Sequence, residues 1–240
     1  LANILAIDTS SAWCSVALSL DGQEPAFRHE AVTAGASQLL LPWIEAMLEA
    51  SNFKLGELDA IAVGIGPGAF TGVRLGVAAA QGLAISQRLP VIPVASLDAI
   101  AAQVIQTPAF QKINPKHFMI AVDARMDEVY WVKYEKCEQK LPVRMGNIHL
   151  SKPEDIDLTG IQYLAGSAIK EYGERVLQAT KPPTSEIAAD PDIAVSALGI
   201  LDVAIQMQQE GRSCDVQDLE PLYIRDKVAL TTAERMEAFK

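Results

Sequence analysis

Apolar residues recur along this chain with two periods. Runs such as "NILAID" (Asn3–Asp8) and "CSVALSL" (Cys14–Leu20) have the length and composition of strands, whereas Ser37–Ala50 repeats apolar residues at helical spacing. The first run predicts a strand, a polar turn at Asp8–Ala12 and a returning strand from Trp13, with a third strand near Gln23–Thr33. The helix Ser37–Ala50 places Leu40, Leu41, Ile44, Met47 and Leu48 along one side, and Pro42 bends it if it begins much earlier. Next come a strand at Ala60–Ile65, a glycine-rich loop, a helix at Thr71–Ser86, a strand at Val91–Val94 and a helix at Ser96–Ile105. "QTPAFQKINPK" (Gln106–Lys116) carries two prolines and few aliphatics, and reads as a boundary.

The second half repeats the layout. "FMIAVDARMDEVYWVKY", from Phe118, is again an apolar run ending in Asp, a short polar turn and a returning run, so that Asp123 stands where Asp8 stands. Strands are predicted at Phe118–Val122, Val129–Tyr134 and Val143–His149. A short helix after Ser151, a strand at Ile161–Ala165, a helix from Ala168, a loop at "TKPPTSE" and a long helix at Ile193–Gln209 follow. "EPLYIRD" reads as a C-terminal strand or extended arm docking on a lobe, and "TTAERMEAFK" as a frayed helix. Three strands in meander followed by alternating helices and strands, twice over, imply two α/β lobes with a ligand cleft between them. The expected division is 1–106 and 107–240, with the last helix and tail packing back on the first lobe.

Charge narrows the partners. Thirty acidic against 20 basic residues leave a formal charge of −10 with no basic cluster, which argues against a chain that holds RNA or DNA by itself. The three cysteines, Cys14, Cys137 and Cys214, are widely spaced and form no CxxC pair, so free thiols in a reducing cytoplasm are expected. No apolar stretch approaches the roughly 20 residues of a membrane span, and the N-terminus enters a strand pattern without a basic leader.

The most distinctive stretch is "VGIGPGAFTGVRLG", Val63–Gly76, with five glycines. It fails as a Walker loop, because Val73 and Arg74 follow Gly72 where Lys and Ser or Thr are required. As a dinucleotide fingerprint it places Pro67 in the tight turn and Phe70 where phosphate needs a small residue. Gly68, Gly72, Gly76 and Ala80 instead recur every four residues, which thins one face for close packing, inside the lobe or across an interface. Glycine within a helix costs roughly 1 kcal/mol relative to alanine, so a packing purpose is implied.

"ILAIDTS", "CSVAL", "GIGPGAFTGVRLGVAAAQGLA", "VDARMDEVYW" and "EPLYIRD" together resemble the TsaB family, also called YeaZ, over nearly the whole chain. The resemblance implies a dimerisation subunit of the bacterial machinery that makes threonylcarbamoyladenosine at tRNA position 37. It implies an α/β fold of two RNase H-like lobes, of the actin, Hsp70 and sugar-kinase (ASKHA) type. It also implies that the helices after Ser37 and after Phe70 form a partner surface, for which Leu40, Ile44, Met47, Phe70, Val73, Arg74 and Val77 are the candidates. The implied partners are a catalytic TsaD-like subunit, a TsaE-like ATPase and, in isolation, a second copy; tRNA is met only through the complex. Two positions depart from the family pattern: Ala69 stands where relatives often have Ser, and Ala36 where they often have His.

Catalytic chemistry is sparse. The related catalytic subunit is expected to bind metal through His-x-x-x-His, whereas His29, His117 and His149 are isolated here, so neither a metal site nor a metallopeptidase is expected. Asp8, Thr9 and Ser10 match a kinase-like phosphate turn, and Asp123 is its counterpart. "DARMDE", however, puts Asp127 and Glu128 where a polyphosphate would be repelled. The four residues read as a vestigial nucleotide site, with no tightly bound cofactor, and ATP and metal supplied through the partner subunits. The alternative is a free-standing ATP-dependent small-molecule kinase of the same fold.

Overall fold

A computed structural model describes residues 2–32, 35–138, 140–177 and 186–225. The first half forms β1 (Ile4–Asp8), β2 (Trp13–Ser19), β3 (Ala26–Ala31), α1 (Ala36–Ala50), β4 (Ala60–Gly64), α2 (Phe70–Gln87), β5 (Val91–Val94) and α3 (Ser96–Val104). After α4 (Pro108–Ile113) come β6 (His117–Asp123), β7 (Val129–Glu135), β8 (Val143–Ser151) and β9 (Tyr163–Ala165). The short helices α5 (Ala168–Tyr172) and α6 (Glu174–Leu177), then β10 (Ala188–Asp190) and α7 (Ala197–Gln209), follow.

The strands make two five-stranded sheets, ordered β3-β2-β1-β4-β5 and β10-β9-β6-β7-β8. In each, the three meander strands pair antiparallel and the last two join in parallel. The orders superimpose when five is added to every strand of the first sheet, so the expected α/β fold of two RNase H-like lobes is what the chain adopts. Alternation sets the layers. Leu5 and Ile7 of β1 face α1 and α2, whereas Ile4 and Ala6 face a second core shared by α3, α7 and the inner side of the other sheet. The second sheet turns Met119, Ala121 and Leu164 outward beneath α5 and α6.

Several boundaries differ from expectation. Gln106–Lys116 is not a plain linker: Thr107 caps α4, accepting from the Phe110 amide at 3.3 Å, and Pro108 occupies the first turn, where a missing N–H costs nothing. The predicted helix after Ser151 is a single 3-10 turn at Pro153–Asp155, β10 was not anticipated, and α7 begins at Ala197 rather than Ile193. "TTAERMEAFK" and most of "TKPPTSE" lie outside the described residues.

The second half of the chain lends α7 to the first sheet, and the docking is exact in its polar accounting. Ser196 supplies no cap of its own; instead the buried Ser15 hydroxyl on β2 accepts from the Ala197 amide at 2.8 Å. Gln103 of α3 accepts from the Ser196 amide at 3.0 Å and donates to the Ala194 carbonyl at 3.2 Å. Across the lobes, Asp98 of α3 accepts from the Tyr134 hydroxyl at 2.7 Å and lies 3.4 Å from Arg144. Gly199 permits the α3–α7 approach, because a Cβ there would run into the Ala99 carbonyl and the Gln103 side chain. Gly199→Ala is therefore expected to destabilise the chain by about 1–3 kcal/mol through overpacking, despite alanine's better helix propensity. Urea unfolding checks this, and an unchanged or higher midpoint would contradict it.

Candidate functional site

The parallel strands β1, β4 and β5 all end at one edge of the first sheet, where an open α/β sheet ordinarily receives its ligand. Here β1 ends in Asp8, β4 runs into the glycine loop and β5 runs into Ser96 at the start of α3. Asp8, Thr9 and Ser10 do converge at that edge, but all three are buried. What buries them is the chain itself. The Ala69 amide donates to the Ser10 carbonyl at 2.7 Å, and the Thr9 hydroxyl donates to the Gly72 carbonyl at 2.6 Å. The Ser96 amide donates to the Gly66 carbonyl at 2.8 Å, and the Ser10 and Ser96 hydroxyls lie 3.0 Å apart.

Four glycines make this closure sterically possible. A Cβ at Gly64 would strike the Asp8 carboxylate, at Gly68 the Ser10 carbonyl and at Gly72 the Thr9 carbonyl, and at Gly76 it would lie 2.9 Å from the Thr9 hydroxyl. The close-packing role of Gly68, Gly72 and Gly76 is thus exercised inside the lobe, against the β1–β2 turn. The amides of Ser10, Ala69 and Ser96, which a phosphate would need, already have acceptors. Ala69 is the N-cap residue of α2, and its methyl offers no acceptor to the first turn. Ala36 opens α1 behind Gly35, which likewise provides no side-chain cap.

Asp8 meets no cation among the described residues. Its carboxylate accepts from the Ser10 amide at 3.0 Å and from the Ser10 hydroxyl at 3.0 Å, and burial pushes its pKa up to about 7. Asp123, at the matching end of β6, is engaged in its own lobe. It accepts from the Tyr172 hydroxyl at 2.8 Å and the Arg125 amide at 2.8 Å, and its amide donates to Ser167 at 3.0 Å. No hydrogen bond joins the two aspartates among the described residues. Beyond Asp123, Arg125, Met126 and Asp127 take left-handed φ values of 60°, 57° and 62° in succession. Such backbone costs roughly 1–2 kcal/mol per residue outside glycine and persists only where the surroundings hold it. Here Arg175 grips Asp127 with two bonds of 2.6 and 2.9 Å, and Arg225 reaches the Ala124 and Arg125 carbonyls and Glu128.

The partner candidates divide. Leu40, Ile44 and Met47 of α1, with Val73 and Val77 of α2, are buried in the core between these helices and the first sheet. They are corrected from surface to core, for the usual reason that a helical apolar stripe covers its own sheet. Phe70 remains 47 % exposed and Arg74 is on the surface, with its guanidinium 3.7 Å from the Phe70 ring centre. The outward side of α2 carries Arg74, Ala78, Gly82 and Ile85, the last 63 % exposed, and α1 adds Leu41 at 51 %. Sequence reasoning missed Leu41, Ala78, Gly82 and Ile85, although Arg74 marks this face as the solvent side.

The histidines serve structure. His29 stacks on Trp13 and bonds Ser15 at 3.0 Å, His149 stacks on Trp131, and His117 lies 4.0 Å from Glu135. No group of three or more metal-ligating side chains occurs among the described residues, and no described helix is long and apolar enough to cross a membrane.

Comparison with known proteins places this geometry in context. Residues 30–231 match a family model described as TsaD, tRNA N6-adenosine threonylcarbamoyltransferase. The tRNA threonylcarbamoyladenosine biosynthesis protein TsaB of Escherichia coli is 35 % identical over 94 % of this chain and 96 % of its own length. The protein of the same description from Haemophilus influenzae is 31 % identical over 94 % of each. Among solved structures, YeaZ from Pseudomonas aeruginosa aligns with a TM-score of 0.80 and 30 % identity, covering 93 % of this chain and all of that one.

The raised pKa of Asp8 has a testable sign. A carboxyl whose pKa is raised on folding stabilises the fold fully below its unfolded value near 3.8, and that contribution is lost as pH rises through about 7. Asp8→Asn, which can keep the acceptor for the Ser10 amide, is expected to gain thermal stability over the parent at pH 8, to keep less than half of that advantage at pH 5 and to lose it below the unfolded value near 3.8. Melting curves across this range check it, and a difference independent of pH would contradict it.

Proposed function

The chain belongs to the TsaB family of tRNA threonylcarbamoyladenosine biosynthesis proteins, and we propose that in this pathway it is a non-catalytic subunit that binds and activates a TsaD-like catalytic partner. The observation that carries this reading is the closed strand edge. The one turn with kinase-like residues is buried under the chain's own glycine loop, while the helices beside that loop turn an apolar, small-residue face outward. That closure speaks against the free-standing kinase, whose phosphate donors would have to be the amides that Ser10, Ala69 and Ser96 already commit.

In this reading the partner transfers threonylcarbamoyl from its adenylate to N6 of adenosine 37 in tRNAs reading codons that begin with A. Transfer from a mixed anhydride needs the acceptor amine aligned and the developing charge stabilised. Those groups, with ATP and a metal ion, sit on the TsaD-like and TsaE-like subunits. A chain of charge −10 leaves tRNA to the complex as well. The outward face of α1 and α2 is the docking surface. Ala78 and Gly82, the latter with open space among the described residues where a Cβ would stand, let a partner helix come close, and Leu41, Phe70 and Ile85 supply the apolar rim. In isolation the same face pairs two copies.

Ala78→Glu tests the surface without touching the core. Ala78 is exposed, so the monomer should melt within about 0.5 kcal/mol of the parent. A carboxylate enclosed in an apolar interface lacks water and a counter-charge, so binding of the TsaD-like subunit should fall at least tenfold, or about 1.4 kcal/mol. Sedimentation with and without the partner reads the outcome. Unchanged association of a normally folded variant would remove this face from the proposal.

A further inference from the structure

The segment after the 3-10 turn Val216–Asp218 runs over the surface as an extended strap, and its contacts join three places. The Leu219 carbonyl accepts from Gln81 of α2 at 3.0 Å, and the Leu222 amide donates to the Ile65 carbonyl of the glycine loop at 2.8 Å. Leu222 and Ile224 pack on the core shared by the lobes. Between them Tyr223 points outward, 53 % exposed, with its hydroxyl accepting from Arg74 Nε at 2.9 Å and its ring 6.4 Å from that of Phe70. The strap then reaches the second lobe. Arg225 Nη2 donates to the Ala124 carbonyl at 3.1 Å, the Arg125 carbonyl at 3.3 Å and the Glu128 carboxylate at 2.5 Å.

These contacts form one path from the left-handed tip of the β6–β7 hairpin to the aromatic end of the docking face. Resting on the function proposed above, we infer that Arg225 is a positioning residue: by pinning the strap to the second lobe, it holds Tyr223 against Arg74 and Phe70 in the shape the TsaD-like subunit binds. Arg225 is two residues from Tyr223, and its side chain is spent on the opposite lobe rather than on the docking face. A guanidinium suits the task because both terminal nitrogens of its planar fork are engaged, Nη2 with the two carbonyls and the Glu128 carboxylate and Nη1 with the Met126 sulfur at 2.8 Å, a spread that the single nitrogen of lysine cannot reproduce. The β6–β7 hairpin tip thereby gains a say in the geometry of the docking face.

The test uses the full chain with Arg225→Ala, Arg225→Lys and Glu128→Gln, and Phe70→Asp as the control for the face. Amide hydrogen exchange of Leu222 reports whether the strap is held, and sedimentation with the TsaD-like subunit reports binding. Arg225→Ala is expected to speed Leu222 exchange about tenfold while the central amides of β1 and β4 keep their protection, and to weaken binding by about tenfold. Arg225→Lys and Glu128→Gln should show the same pattern more weakly, and they replace the alanine variant if that one loses β1 and β4 protection. Unchanged Leu222 exchange overturns the inference. So does wild-type binding by Arg225→Ala when Phe70→Asp abolishes it. If Phe70→Asp binds normally, the docking face itself fails, and the Leu222 exchange still decides whether Arg225 anchors the strap.

Discussion

The glycine loop docks onto the Asp8–Ser10 turn, and that contact fixes where α2 begins and which of its sides meets the sheet. Four glycines face three residues of one turn, and each lacks a Cβ where one would collide with that turn. Removing those side chains brings the start of α2 against the end of β1, and the Thr9, Ser10 and Ser96 hydroxyls are satisfied within the chain. The same approach orients α2. Once Gly72, Val73, Gly76, Val77 and Ala80 are directed to the sheet, Arg74, Ala78, Gly82 and Ile85 are left outside. One steric requirement thus closes the phosphate edge and sets the outward face.

The two lobes are joined by elements that ignore their sequence order. Helix α7 comes from the second half yet covers the first sheet, its leading amide capped by Ser15 of β2. Asp98 and Tyr134 link α3 to the other sheet, and the strap ends on the second hairpin tip. A continuous core of α3, α7 and both inner sheet faces fills the space between the lobes, where the sequence led us to expect a ligand cleft.

Much of this was legible in the sequence because the strands are short, apolar and separated by polar turns, and because the Asp8 and Asp123 segments announce the repeat. Other features were hidden for physical reasons. The prolines of Gln106–Lys116 read as breakers, yet Pro108 follows the capping Thr107 and helps start a helix. β10 has only three residues, too few for a period to register. Leu40, Ile44, Met47, Val73 and Val77 were misplaced because an apolar helical stripe looks the same whether it meets its own sheet or a partner. Arg74 was assigned to the surface alongside them, and only the structure shows it lying over Phe70 and bonded to Tyr223, 149 residues away.

The glycine loop is committed to its own lobe through the Ala69–Ser10, Gly72–Thr9 and Gly66–Ser96 hydrogen bonds. Titrating magnesium–ATP into the isolated, isotope-labelled chain while following the amide resonances of Ser10, Ala69 and Ser96 tests it most directly. Those three signals are expected to stay in place at millimolar nucleotide, because each amide already has an acceptor inside the fold. Saturable shifts at all three, with Thr9 released from the Gly72 carbonyl, would show that the loop opens for a phosphate and would contradict it.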